Sequence, residues 1–242
     1  MKMPAHYINR IGILLFALLV YNCNAQPLYS TGKLKVAIFV YNGVEVLDFA
    51  GPAEVFSVTS TKDNNGSWTK AFEVFTVAAS SEPITSQGFI EVIPDYSLDN
   101  CPEADIIILP GGSTQASRKD QNVLSWIGNH SKKGSNVLLS ICTGAFLIGD
   151  AGLLDAQKAT TWYGKIDQFR TTFPETEVLE NVRYIDNGQI ITTAGVSAGI
   201  DGSLHLVARI FGIKSATRVA KYMEYDKWNP DSGLVVTKKP GK

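Results

Sequence analysis

At 242 residues, with 45% apolar and 19% charged side chains, the chain has the size and composition of one folded domain with short extensions. A net charge of −1 supplies no electrostatic hold on nucleic acid or on an anionic membrane surface. Three cysteines do not make a disulfide scaffold.

Residues 1–25 read as a secretory signal peptide. Lys2 and Arg10 give a basic start, Ile11 to Tyr21 is an almost unbroken apolar run, and small Ala25 precedes the expected cut. The run is shorter than the ~20 residues of an ordinary membrane span. The alternative is an uncleaved N-terminal anchor, and lipid attachment at Cys23 is disfavoured by Asn22 just before it. Cleavage after Ala25 leaves Cys101 and Cys142, and places the mature protein in the periplasm or outside the cell.

Beyond a short linker the pattern becomes regular. Leu34 to Tyr41, Phe72 to Ala79, Ile106 to Leu109 and Val137 to Ile141 are β-branched, near-continuous apolar runs, as expected of parallel strands buried on both faces. Helices are expected over Asp48 to Val58, with Pro52 in its first turn, and over Asn122 to Lys132, capped by Gly134. Two more are expected over Thr143 to Ala151, before Gly152, and over Ser197 to Phe211, where Ile200, Leu204, Val207, Ala208 and Phe211 share one face. Gly88 and Asn187-Gly188 mark the turns of two antiparallel excursions, Thr85 to Ile93 and Val182 to Thr193. Residues 229–242 read as a polar, frayed tail. The fold class is α/β, a flavodoxin-like three-layer sandwich with a mainly parallel sheet.

Ser140-Ile141-Cys142-Thr143-Gly144-Ala145 carries the strongest chemical signal. A buried strand meets a helix there, and small residues around one cysteine permit a tight turn that lifts its side chain out of the sheet. The helix N-terminus is expected to depress the thiol pKa. A buried inert cysteine is the plainer reading of the residue type. Pro110-Gly111-Gly112 closes the third strand at the same edge, so its N–H groups could face an anionic intermediate, although Pro-Gly-Gly is also an ordinary loop. Asp48, after the first strand, is either a helix N-cap or a third member of the site. No histidine follows the cysteine: His6 lies in the signal, His130 at a polar helix end and His205 on a later helix. The chain has no clustered Cys/His spacing for a metal, and no cofactor is expected.

These residues resemble the ThiJ/PfpI family of the class I glutamine amidotransferase-like superfamily. The resemblance runs from about Lys33 to Trp228 and rests on several spaced landmarks. They are Leu47-Asp48-Phe49-Ala50-Gly51-Pro52, Leu109-Pro110-Gly111-Gly112, Ile141-Cys142-Thr143-Gly144-Ala145-Phe146 and Ala194-Gly195-Val196-Ser197-Ala198-Gly199-Ile200-Asp201. Thr143 stands where protease-like branches carry histidine, which argues against a peptidase. The Cys-Thr-Gly form with an upstream Leu-Asp is similar to isonitrile hydratases, and the resemblance implies that Cys142, Asp48 and Thr143 are catalytic. Gly111, Gly112 and Trp162 are then substrate-binding, Trp162 replacing a histidine that relatives often carry. The resemblance also implies a homodimer acting on a small molecule, without nucleic acid. Two other readings stand beside it: a glyoxalase- or deglycase-like cysteine enzyme, and a non-catalytic small-molecule sensor. A complete AraC-type regulator needs about another 100 residues for its DNA-binding helices, whereas 14 follow Trp228, so direct transcriptional regulation is not expected.

N-terminal sequencing of the protein purified from its native host is expected to begin near Gln26. An intact Met1 in a soluble cytoplasmic fraction would exclude the signal peptide.

Overall fold

A computed structural model describes residues 32–134 and 136–236, so the signal-peptide reading of residues 1–25 lies outside the described residues. The central sheet has eight strands: β1 (Leu34–Phe39), β2 (Phe72–Ala78), β3 (Tyr96–Ser97), β4 (Ile106–Leu109), β5 (Val137–Ser140), β6 (Tyr184–Asp186), β7 (Ile190–Thr193) and β8 (Leu234–Val235). Their order is β8-β6-β7-β5-β4-β1-β2-β3. All neighbouring pairs are parallel except β6 with β7, which are joined through the Asn187-Gly188 turn. Every residue of β4 and β5 is buried, which accounts for their unbroken apolar sequences.

Among the described residues six α-helices flank the sheet: α1 (Val46–Val58), α2 (Gln121–Ser131), α3 (Ala145–Asp150), α4 (Ile166–Thr172), α5 (Ala198–Phe211) and α6 (Ile213–Tyr222). Helices α1, α5 and α6 pack on one another, and α2 packs on α3. Phe146 of α3 meets Phe169 of α4 edge to face, with ring centroids 4.8 Å apart. The three-layer expectation holds. Outside the main sheet stand two hairpins, Ser60–Lys62 with Trp68–Lys70 and Ile84–Ser86 with Ile90–Val92.

Several local expectations are corrected. Helix α1 begins at Val46, so Pro52 lies in its second turn, where it removes the hydrogen bond to the Asp48 carbonyl. The neighbouring Gly51 packs closely on α5: a Cβ there would stand 3.0 Å from Ile200. Helix α2 closes on Lys132 in the right-handed conformation, not on Gly134. Residues 229–236 are docked, not frayed. Leu234 and Val235 pair in parallel with β6, and the Tyr184 hydroxyl donates to the Pro230 carbonyl at 2.7 Å. The last six residues of that tail lie outside the described residues.

Chain order reverses beside β1: β2 and β3 lie to one side of it and β4 and β5 to the other. Such a switch point opens a crevice at the carboxyl ends of the strands. Leu109 and Ser140 are partners in register, so Pro110-Gly111 and Ile141-Cys142 leave the sheet at one level. The closeness of these two turns depends on glycine. A Cβ on Gly144 would fall 1.8 Å from the Leu109 carbonyl oxygen, and one on Gly111 would fall 2.7 Å from the Cys142 Cβ.

Gly144→Ala is therefore expected to destabilise the fold by about 3 kcal/mol or more, since backbone must move to admit the methyl group. Denaturant unfolding of the variant beside the parent measures it. A loss below about 0.5 kcal/mol would show that the two turns can separate at little cost.

Candidate active site

Cys142 opens a single 3-10 turn, Cys142–Gly144, between β5 and α3. Its φ of +56° lies in the left-handed region, which costs a non-glycine residue of order 1–3 kcal/mol. Three contacts hold the turn. The Ile141 N–H donates to the Leu109 carbonyl at 3.0 Å and the Cys142 N–H to the Ala194 carbonyl at 2.8 Å. The Thr161 hydroxyl donates to the Cys142 carbonyl at 2.7 Å. Neighbouring strand ends thus impose the strained conformation, and the side chain is only 7% exposed.

Asp48, three residues after the N-cap position of α1, is wholly buried. The N-cap reading fails, because Glu45 occupies that position and makes no side-chain cap bond. Instead Asp48 Oδ2 accepts from the Gly111 N–H at 2.9 Å, while the Gly111 carbonyl accepts from the Glu45 N–H at 2.9 Å. Gly111 thus grips the first turn of α1 from both sides. Asp48 Oδ1 is buried without a hydrogen-bond partner among the described residues. The Cys142 thiol and the Val196 N–H stand near enough to favour the ionised carboxyl, though neither closes a regular hydrogen bond. Val196, a β-branched residue at φ +51°, is a second strained position beside the same carboxyl.

Protonation follows from this burial. Desolvation pushes Asp48 up to about 7 and outweighs the Gly111 N–H bond, with the Glu45 charge adding to the rise. The Cys142 thiol is pushed up to about 12, by burial first and by the Asp48 carboxylate second. The Thr143 N–H and hydroxyl pull in the opposite direction without prevailing. Burial and two neighbouring carboxylates thus push the thiol up, against the depression expected from the helix N-terminus. Cys101 is raised as well, through burial. Tyr41, bonded through its hydroxyl to the Pro110 carbonyl at 2.9 Å, is raised by burial and by the same Asp48 and Cys142 charges, which places it in the cluster.

The glycine N–H groups are already engaged. Gly111 donates to Asp48, and Gly112 donates to the Thr143 hydroxyl at 3.0 Å, which in turn donates to the Gly112 carbonyl at 3.2 Å. In this structure neither N–H is free to face an intermediate, which corrects the oxyanion reading of Pro110-Gly111-Gly112. What the two glycines do is position Asp48 and Thr143. Trp162 is half-buried against the turn that contains Val196, since a Cβ on Gly195 would meet its indole at 2.4 Å. His130 bonds the Val137 carbonyl at the opposite end of β5, and His205 pairs with Asp186 at 2.7 Å, so neither forms a pair with Cys142. Among the described residues no group of three or more His, Cys, Asp or Glu is arranged to hold a metal ion.

Sequence reasoning missed Tyr41, Glu45 and Val196 as members of the cluster. Each leaves or enters a strand end at this edge, and Gly195-Val196-Ser197-Ala198-Gly199 after β7 was the available signal for the last.

A mainly parallel sheet with a strained cysteine at a strand-to-helix turn, facing a buried carboxyl across a switch point, defines a class of fold and site. Residues 34–209 match the model of the DJ-1/PfpI family, and the chain belongs to it. It is 29% identical over 204 residues to isonitrile hydratase of Pseudomonas putida, covering 83% of this chain and 82% of that protein. It is 27% identical over 154 residues to the HTH-type transcriptional regulator CdhR of Pseudomonas aeruginosa, covering 64% of this chain and 45% of the regulator. Among solved structures, a ThiJ/PfpI family protein from Pseudomonas syringae superposes with a TM-score of 0.69 at 28% identity, covering 82% of this chain and 78% of that one. DJ-1beta of Drosophila melanogaster shares the fold, with a TM-score of 0.69 at 16% identity over 80% of this chain and 98% of its own.

The raised Asp48 pKa has a consequence for stability. In the unfolded chain the carboxyl titrates near ~3.9. Between that value and about 7 the folded state holds the extra proton, so stability falls as pH rises through this window, and the loss is complete above it. The effect is on the order of a few kcal/mol. Asp48→Asn, permanently neutral, is expected to remove this part of the slope. Denaturant unfolding at about pH 5 and about pH 8 tests it, and equal slopes in parent and variant would mean that the buried carboxyl is not raised.

Proposed function

We propose that the protein is a cysteine-dependent hydro-lyase that hydrates isonitriles to N-substituted formamides. The observation that carries this reading is the buried Cys142–Asp48 pair, in which the thiol of a strained turn stands beside a carboxyl pushed up to about 7 by burial, one of whose oxygens has no hydrogen-bond partner among the described residues. An isonitrile offers an electrophilic terminal carbon that must gain both a sulfur and a proton, and this pair holds both. The similarity to isonitrile hydratase over most of both chains supports the choice of substrate class.

The steps balance as follows. The Cys142 sulfur forms a bond to the terminal carbon while its proton passes to the Asp48 carboxylate. The thiol holds that proton far more tightly than the carboxyl does, so transfer accompanies C–S bond formation and does not precede it. Asp48 then returns the proton to the same carbon, giving a thioimidate. Water adds to the thioimidate carbon, one of its protons reaches nitrogen, and the C–S bond breaks. The hydroxyl proton of the collapsing adduct restores the thiol, and the formamide departs. The hydroxyl and N–H of Thr143 flank the sulfur and favour its developing charge. Trp162, on the Gly195 turn, would form an apolar wall for the substituent on nitrogen.

A second reading, a small-molecule sensor, draws on the same resting thiol and on the similarity to part of CdhR. The signal-like N-terminus supports action outside the cytoplasm in either case.

A panel of alkyl and aryl isonitriles, with 2-oxoaldehydes beside them, separates the readings. Formamide is expected from the isonitriles, none from Cys142→Ser, and a kcat lower by roughly 100-fold or more in Asp48→Asn. Turnover of oxoaldehydes alone would replace the reaction, and turnover of neither would favour the sensor.

A further inference from the structure

Tyr41 lies two residues beyond β1, where the strand's course continues: the Val40 N–H donates to the Val77 carbonyl at 2.7 Å. Its ring packs on Phe39, with centroids 5.4 Å apart, and the residue is buried. That packing would suit phenylalanine equally well, so the hydroxyl is the part of the side chain that calls for a reason. It donates to the Pro110 carbonyl at 2.9 Å.

The acceptor is one end of the Pro110–Gly111 peptide. The other end of the same peptide is the Gly111 N–H, which donates to Asp48 Oδ2 at 2.9 Å. The C–N bond between them is conjugated, so a donor at the carbonyl oxygen draws electron density toward that oxygen and leaves the N–H more positive. Two hydrogen bonds joined in this way strengthen each other, most of all where water is excluded. Pro110, Gly111 and Asp48 are all buried. Hydroxyl, peptide and carboxyl thus form one chain that crosses from the end of β1, through the turn after β4, to the first turn of α1.

The other groups that face Asp48 come from each element around it. Glu45 lies in the lead-in to α1, Cys142 in the turn after β5, and the Val196 N–H in the turn before α5. Behind that turn, on α5, Asp201 is held by Arg183 and by the Tyr225 hydroxyl at 3.2 Å, so its charge is answered locally. No cation is among the leading influences on Asp48. A negative charge on this buried carboxyl therefore rests on neutral donors. Among the described residues the Gly111 N–H is the one that closes a regular hydrogen bond to it.

We propose that Tyr41 is a positioning residue for Asp48: acting through the Pro110–Gly111 peptide, its hydroxyl makes the Gly111 N–H a stronger donor and so favours the carboxylate over the neutral acid. The inference concerns the free protein and stands whatever compound turns over. Only the use made of that carboxylate, as the acceptor of the thiol proton, rests on the hydratase reading. A tyrosine that merely satisfied a buried carbonyl would hold the turn in place and leave the charge of Asp48 alone. The two roles therefore separate by pH.

The test follows the Asp48 side-chain carboxyl by carbon-13 NMR from about pH 5 to about pH 9, its resonance assigned with Asp48→Asn. In Tyr41→Phe the ionisation midpoint is expected about half a pH unit or more above the parent's, a roughly threefold weaker acid. The sign follows from the chain: without the hydroxyl the N–H is a poorer donor, and the carboxylate loses more by that than the neutral acid does. The Gly111 amide proton, read at about pH 9 where the carboxyl is ionised in both proteins, is expected to move upfield. An unmoved midpoint in a Tyr41→Phe protein that melts like the parent overturns the proposal, and so does a midpoint that falls. A raised midpoint with an unmoved Gly111 proton overturns the route through the peptide. Should Tyr41→Phe fail to fold, 3-fluorotyrosine in place of Tyr41 decides. Its hydroxyl is the stronger donor, so the midpoint is expected to fall, and one that stays or rises overturns the proposal. Absence of isonitrile turnover in the parent bears on the reaction and leaves this titration standing.

Discussion

One hydrogen bond, from the backbone N–H of Gly111 to the side-chain carboxyl of Asp48, organises this end of the molecule. It joins the turn after β4 to the first turn of the helix after β1, across the point where the strand order reverses. An amide bonded to a carboxyl in a dry setting is worth more than the same pair in water, and leaving either partner alone there would be costly. The bond also fills one side of the carboxyl and leaves the other facing the sulfur. The contact thereby fixes where the Asp48 carboxyl stands beside the Cys142 turn.

Around it, close packing does what charge does not. Gly111 and Gly144 let two turns nest until backbone touches backbone, and Gly112 at φ +118° leaves no room for a side chain, since a Cβ would meet the Gly43 carbonyl oxygen at 2.3 Å. Cys142, in a left-handed conformation, is held there by bonds to adjoining strand ends and by burial, and Val196 takes the same conformation at the turn that opens α5. Strain of this kind persists only where the surroundings leave the chain no alternative. A site built so keeps its geometry when empty, and little reorganisation remains to be made when a small molecule enters.

Much of this was legible from residue order. Runs such as Val36-Ala37-Ile38-Phe39 and Ile106-Ile107-Ile108-Leu109 can hardly be anything but buried strands, and the motifs that end them fall at one edge once the strands are parallel. Cys142, Asp48, Thr143 and the two glycines are brought together as anticipated, while their partners were not foreseeable. Whether the Gly111 N–H points at a ligand or at Asp48 depends on a turn that composition does not specify. The upward push of burial on the thiol was not foreseen, because the start of a helix is visible in a sequence whereas the depth of its burial is not. Helix α6 and strand β8 escaped notice for simpler reasons: the first, Ile213–Tyr222, follows α5 after a single glycine and carries polar residues at half its positions, and the second is two residues long. Tyr41 could not have been linked to Pro110 from order alone, because 69 positions separate them.

The docking of Leu234-Val235 on β6 bears on how the protein behaves in company. Without that short strand, Tyr184-Ile185-Asp186 would end the sheet with a row of open amide and carbonyl groups, a template onto which another chain could zip. Two residues are enough to close the template, because the Arg183 N–H bonds the Ser232 carbonyl on one side and the Val236 N–H bonds the Asp186 carbonyl on the other. Residues 229–236 thus act as a selvedge for β6, taking up the amide and carbonyl groups along that border.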